Sequence, residues 1–152
     1  MRLAEGVGLL KQNFIGVDTD LLYVRVAKHS WRNLKTASSE RKIPLVGEAS
    51  WAVKRIIETD TVSDFAFPRY IRASTIAANS ESAALNKWLK QYVPVGCTMH
   101  SFRHSMRDRL RAVQCPSDIT DQIGGWATDG VGQGYGSGYP MYVLQEWLEK
   151  AA

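Results

Sequence analysis

Apolar positions along the chain fall into two regimes, a short alternating region near the start and helical spacing over most of the rest. Leu3 to Leu10 has helix-like spacing, with no capping residue before it. Asn13 to Val17 and Leu21 to Ala27 read as strands, and Asp18-Thr19-Asp20 between them has turn chemistry. Glu40 to Val46 reads as a third strand, entered through the small polar turn Thr36 to Ser39. Three short strands in succession predict a small antiparallel sheet. Amphipathic helices are then expected over Ser50 to Glu58, Glu81 to Tyr92, Phe102 to Val113, Pro116 to Ile123 and Tyr142 to Lys150. Pro116 falls in the first turn of its helix, where a missing N–H costs nothing. Gly130 to Gly138 is glycine-rich and reads as a mobile loop. The fold class is α+β, mostly helical with a three-stranded antiparallel sheet.

The chain has 152 residues, enough for one domain with a core of its own. With 45% hydrophobic and 22% charged residues, the composition is that of an ordinary soluble protein. No apolar run approaches the roughly 20 residues of a membrane span, and no signal peptide is visible. Cys97 and Cys115 match no metal spacing and read as free thiols in a reducing compartment, which points to the cytoplasm. A helix that begins at the first residue suggests a piece cut from something longer.

A net charge of +4 favours polyanions without identifying them. Its distribution says more. Lys28, Arg32, Lys35, Arg41 and Lys42 fall close together, and Arg103, Arg107, Arg109 and Arg111 fill a second short stretch. Either cluster alone reads equally as a solvated charged face.

Six residues in order suggest chemistry on a phosphodiester: Arg2, Lys35, His100, Arg103, Trp126 and Tyr135. Tyr135 has glycines on both sides and could reach a target as nucleophile, although taken alone it reads as a loop aromatic. Tyr139 and Tyr142 lie close by and compete for the role. A free phenol has a pKa near about 10, so a tyrosine nucleophile needs a proton acceptor or nearby positive charge. His100 and Arg103 are three apart and share a face if the backbone there is helical. An arginine fork fits phosphate oxygens, and histidine exchanges protons near neutral pH. The alternative is a histidine capping a helix and an arginine in a surface ion pair, with His104 packing beside them. Glu5 stands at helical spacing from Arg2 and could hold its guanidinium. Lys35 could swing in to protonate a leaving oxygen or simply face solvent. Trp126 could donate its indole N–H to phosphate or pack in the core. No carboxylate cluster looks like a two-metal site, so no metal or other cofactor is required. No glycine-rich phosphate cradle appears, leaving any phosphate to be held by side chains.

Together and in this order, these residues resemble the catalytic domain of tyrosine recombinases, the phage integrase family. Arg2-Leu3-Ala4-Glu5 is similar to the segment carrying the first catalytic arginine. Lys35-Thr36 followed by Arg41-Lys42-Ile43-Pro44-Leu45 is similar to the β-hairpin lysine and the strand after it. His100-Ser-Phe-Arg103-His104 resembles the His-x-x-Arg box. Gly125-Trp126 falls where the family usually has Gly-His, a place where some members also carry tryptophan. Tyr135 falls nine positions after Trp126, the spacing expected of the nucleophile, which favours it over Tyr139 and Tyr142.

The resemblance implies that residues 1–152 form an N-terminally truncated catalytic domain, without the family's DNA-clamping domain. Its partner would be double-stranded DNA, bound by a tetramer when full length and by a monomer as this fragment, with no membrane involved. Tyr135 would form a 3′-phosphotyrosine, Arg2 and Arg103 would hold the non-bridging oxygens, and His100 and Trp126 would assist. Lys35 would protonate the 5′ leaving oxygen. A catalytically silent DNA-binding module of the same fold and a type IB topoisomerase-like enzyme remain as rivals. The amphipathic tail after Tyr139, with Leu144, Trp147 and Leu148 on one side, either folds back on its own domain or docks on a neighbouring subunit.

Overall fold

The computed structural model describes residues 1–59, 62–72, 75–76, 78–126 and 137–152. Tyr135 and most of the expected glycine loop lie outside them.

The α+β reading holds. Strands β1 (Phe14–Ile15), β2 (Tyr23–Val26) and β3 (Arg41–Pro44) form an antiparallel sheet in the order β1-β2-β3. All three are shorter than the sequence suggests. Asn13 is drawn into a 3-10 turn, Lys11–Asn13, where its Oδ1 accepts the Leu10 N–H at 2.9 Å. Thr36 to Ser39 is a turn as expected, 3-10 over Ala37–Ser39. In β2, Val24 and Val26 point inward and Arg25 outward, the alternation that a half-buried strand requires.

All six expected helices form, with shifted ends: α1 (Leu3–Val7), α2 (Gly47–Glu58), α3 (Ala78–Leu89), α4 (Ser101–Ala112), α5 (Ser117–Gly124) and α6 (Met141–Ala151). Helix α1 stops short where the C-cap Gly8 N–H donates to the Ala4 carbonyl and the Leu9 N–H to the Gly6 carbonyl, and Leu9 and Leu10 then enter the core. Pro116 is the N-cap of α5 rather than its first helical residue. A second antiparallel pair, β4 (Ile71–Arg72) with β5 (Thr75–Ile76), carries no alternation long enough to be seen in the sequence.

Two apolar clusters use the sheet region as their common wall, with Ile43 packed against both. One gathers Leu9, Phe14, Leu22, Val24 and Val53. The other gathers Leu110 of α4, Ile119 and Ile123 of α5, and Leu144, Leu148 and Ala151 of α6. Helix α6 packs on α4 and β3 of its own chain. Its buried residues recur at the helical period. Leu144→Ala should therefore cost about 2–5 kcal/mol. A urea midpoint within experimental error of wild type would show that the tail contributes nothing to this core.

Among the described residues, no helix is long and apolar enough to cross a membrane, and no group of three or more His, Cys, Asp or Glu side chains could hold a metal ion. Cys97 and Cys115 are free thiols.

Candidate active site

The site is assembled around Glu5. Helix α1 starts immediately after Arg2, so Glu5 turns back toward it: Glu5 Oε2 accepts the Arg2 backbone N–H at 2.8 Å, and Oε1 accepts the Arg2 guanidinium at 2.9 Å. A second arginine reaches the same carboxylate, with Arg41 donating to Glu5 Oε2 at 3.0 Å. Burial alone would raise the Glu5 pKa. The Arg2 N–H and the charge and hydrogen bond of Arg41 outweigh it and hold the carboxyl below its ordinary range. Arg2 also donates to Ser39 Oγ at 3.0 Å, which ties it to the turn following Lys35.

Arg103 comes from α4, where helical backbone sets it one turn after His100, as the three-residue spacing predicts. Its side chain is buried, and neither terminal guanidinium nitrogen finds a hydrogen-bond partner among the described residues. The guanidinium lies over the Trp126 indole, 4.2 Å from the ring centroid. Burial lowers its pKa first, followed by the positive charges of Arg2 and Arg41. An arginine so placed is desolvated, repelled by like charges and left with open donors. A phosphate oxygen would relieve all three costs.

Trp126 uses its ring face as well as whatever its N–H does. Arg107 stacks on the same indole at 4.8 Å and is held by Asp121 at 3.5 Å, so two guanidinium groups share one aromatic surface. The two preceding glycines make this possible. A side chain on Gly124 would collide with the indole, and Gly125 ends α5 in the left-handed region at φ +63°. Arg103 and Trp126 also line a largely apolar hollow of about 470 Å³ with Ile43, Phe102, Met106 and Leu148.

His100 is exposed at the N-terminus of α4, its ring 5.0 Å from that of His104. Lys35 is exposed, and no contact among the described residues joins it to the arginines; what links its segment to them is Ser39. Tyr135 lies outside the described residues. Thus Arg103 and Trp126 come together in direct contact, and Arg2 approaches them through Glu5 and Arg41.

The two rival tyrosines differ in their surroundings. The Tyr139 hydroxyl donates to Asp118 Oδ2, and this bond raises the phenol pKa. Its backbone is held on both sides by the Gln122 side chain. Tyr142 is exposed on α6, two-thirds of its surface open to solvent. Tyr139→Phe should leave folding stability nearly unchanged, since an exposed side-chain bond contributes little; a clear drop in the urea midpoint would make the Asp118 contact a structural one.

The basic clusters need correction. Arg32 and Arg41 are buried anchors rather than a polyanion-facing surface. Arg32 donates to the Glu5 and Ala27 carbonyls, both at 2.6 Å. Lys28, Lys35 and Lys42 are the exposed members. In the second cluster Arg103 is buried, Arg107 half-buried, and Arg109 and Arg111 exposed. Arg41 is the residue whose position the sequence reading missed. The available signal was its place in β3, two residues before the inward-facing Ile43.

Among known proteins, the model of the family described as the phage integrase family matches residues 1–137. No curated protein and no solved structure matches the chain.

Proposed function

The chain belongs to the phage integrase family, and from that premise we propose that it cuts and rejoins double-stranded DNA at specific sites through a tyrosyl–DNA intermediate. Proteins of this family bind DNA and are generally tyrosine recombinases. The observation that carries the finer reading is Arg103, a buried guanidinium with two open nitrogens, stacked on Trp126 and pressed by Arg2 and Arg41.

On this reading residues 1–152 are the catalytic domain. Arg2 and Arg103 bind the non-bridging oxygens of the scissile phosphate and balance charge that grows in the transition state. Trp126 fixes Arg103 and supports the phosphate. The Tyr135 hydroxyl gives its proton to His100 and attacks phosphorus. A 3′-phosphotyrosine bond forms, the bond to the 5′ oxygen breaks, and that oxygen takes a proton from Lys35. A 5′ hydroxyl of a partner strand then attacks the phosphotyrosine, and the protons return. One phosphodiester replaces another, so neither ATP nor a metal is called for. The full-length protein works as a tetramer on DNA in the cytoplasm, and this chain alone as a monomer.

The test offers the protein two copies of a duplex selected from a random-sequence pool for binding to it and, separately, a supercoiled plasmid lacking that sequence. Exchange of strands between the duplexes is the expected result. Relaxation of the plasmid without exchange would replace this reading with a topoisomerase. Salt-sensitive binding with neither reaction would replace it with a silent DNA-binding module.

A further inference from the structure

The structure assigns to Arg41 the positioning of Arg2 and of the Gly125-Trp126 turn. This inference rests on the recombinase reading above for its catalytic consequence, and on the geometry of the folded chain for its substance.

Arg41 is buried to the same degree as Glu5, with 4% of each side chain exposed. Its five donors point in fixed directions, and three of its nitrogens are used on three separate segments. Nε donates to the Ile123 carbonyl at 3.0 Å, in the last turn of α5. One terminal nitrogen donates to the Ser39 carbonyl at 2.5 Å, in the turn that follows Lys35. The other donates to Glu5 Oε2 at 3.0 Å, in α1.

Each of these partners leads to a residue of the site. Among the described residues, the Arg2 guanidinium is held by Glu5 and by the Ser39 hydroxyl, and Arg41 binds both of those residues. Both of these guanidinium contacts therefore run through residues that Arg41 also binds. On the other side, the Ile123 carbonyl precedes Gly124, Gly125 and Trp126. A Cβ on Gly125 would lie 2.6 Å from the Arg41 guanidinium, so the turn presenting the indole is moulded against Arg41 itself. The indole in turn carries Arg103. One guanidinium thus sets the spacing between the two phosphate-binding arginines. Lysine could supply the charge at this place but not three divergent planar bonds.

Arg41 touches neither phosphate nor Tyr135 in this account, and acts through Arg2 and Trp126. The test is Arg41→Lys. The first readout needs no DNA: ¹⁵N relaxation of the Arg2 Nε–H in wild type and variant. The expected result is a marked loss of side-chain order at Arg2 in the variant, with the backbone spectrum elsewhere unchanged. An equally ordered Arg2 would overturn the proposal. The second readout is cleavage of a nicked duplex. The variant should cleave about 100-fold more slowly, the cost of a displacement near 1 Å, while DNA affinity stays within about twofold. A 5′-bridging sulfur makes a leaving group that needs no proton. It should restore Lys35→Ala and leave Arg41→Lys slow, because Arg41 serves the phosphate oxygens. Rescue of Arg41→Lys by sulfur, or cleavage near the wild-type rate, would overturn the assignment.

If Arg41→Lys does not fold, Gly125→Ala tests the same contact from the other side. Its methyl presses on the guanidinium and should disorder Arg2 in the same way; an unmoved Arg2 there would count against the proposal. Should wild type itself fail to cleave, the recombinase reading falls, and the relaxation experiment alone decides the role of Arg41.

Discussion

Replacing Arg103 by alanine should slow strand cleavage about 100- to 1000-fold, the cost of removing one preorganised donor from a developing phosphorane. DNA affinity should fall far less, because most phosphate contacts along a duplex lie away from the scissile one. The folded chain makes a further demand on this variant. Arg103 without DNA is an expensive residue: its terminal nitrogens are buried without partners, and Arg2, Arg41 and Arg107 all repel it. Each buried donor left unpaired costs on the order of 1–3 kcal/mol, against roughly 0.5–2 kcal/mol gained by stacking on Trp126. The loss of activity should therefore come with no loss of folding stability, since the donors removed cost at least as much as the stacking gained. Single-turnover cleavage and urea unfolding of the same preparation test both halves. Near-normal cleavage would remove Arg103 from the site. A large loss of stability would make it a structural residue whose effect on cleavage is indirect.

Glu5→Ala should cost the fold about 3–5 kcal/mol, because it strands a buried guanidinium. The Arg41–Glu5 pair is 3.0 Å apart with each side chain 4% exposed, so water cannot replace the lost carboxylate. Arg2 loses its backbone acceptor and its ion-pair partner in the same step. The pH dependence has a definite sign. The Glu5 pKa is depressed in the folded chain, so its stabilisation is fully present above the ordinary carboxylate value of about 4.3, and is lost as pH falls through the depressed value. The gap in unfolding free energy between wild type and Glu5→Gln should be constant at neutral pH and close progressively in acid. A gap that widens on acidification would contradict the pairing.

The sequence made the helices legible because each carries an apolar stripe at the right period, as Leu144, Leu148 and Ala151 do in α6. It made the sheet legible because β2 alternates cleanly. Element ends were harder to read, since they depend on single backbone bonds such as those that close α1 at Gly8. The pair β4–β5 was invisible because two-residue strands leave no pattern. At the site, the spacing of His100 and Arg103 translated directly into successive positions on a helix turn. Glu5 as the holder of Arg2 followed from the same rule. Arg41 did not, because a charged residue in a short strand reads as surface, and its burial is decided by three tertiary acceptors from 2 to 82 residues away. The indole face of Trp126 was missed for the same reason: sequence shows a donor, while the fold shows two arginines stacked upon a ring.

The central claim is that Tyr135 carries the DNA. The most direct test mixes this chain with a nicked suicide duplex whose sequence has been selected from a random pool for binding to it. Denaturing electrophoresis and peptide mass spectrometry then locate any covalent adduct. The account predicts a DNA adduct on the peptide containing Tyr135, absent from Tyr135→Phe and retained by Tyr139→Phe. An adduct mapped to Tyr139 or Tyr142, or bound DNA with no adduct, would contradict it.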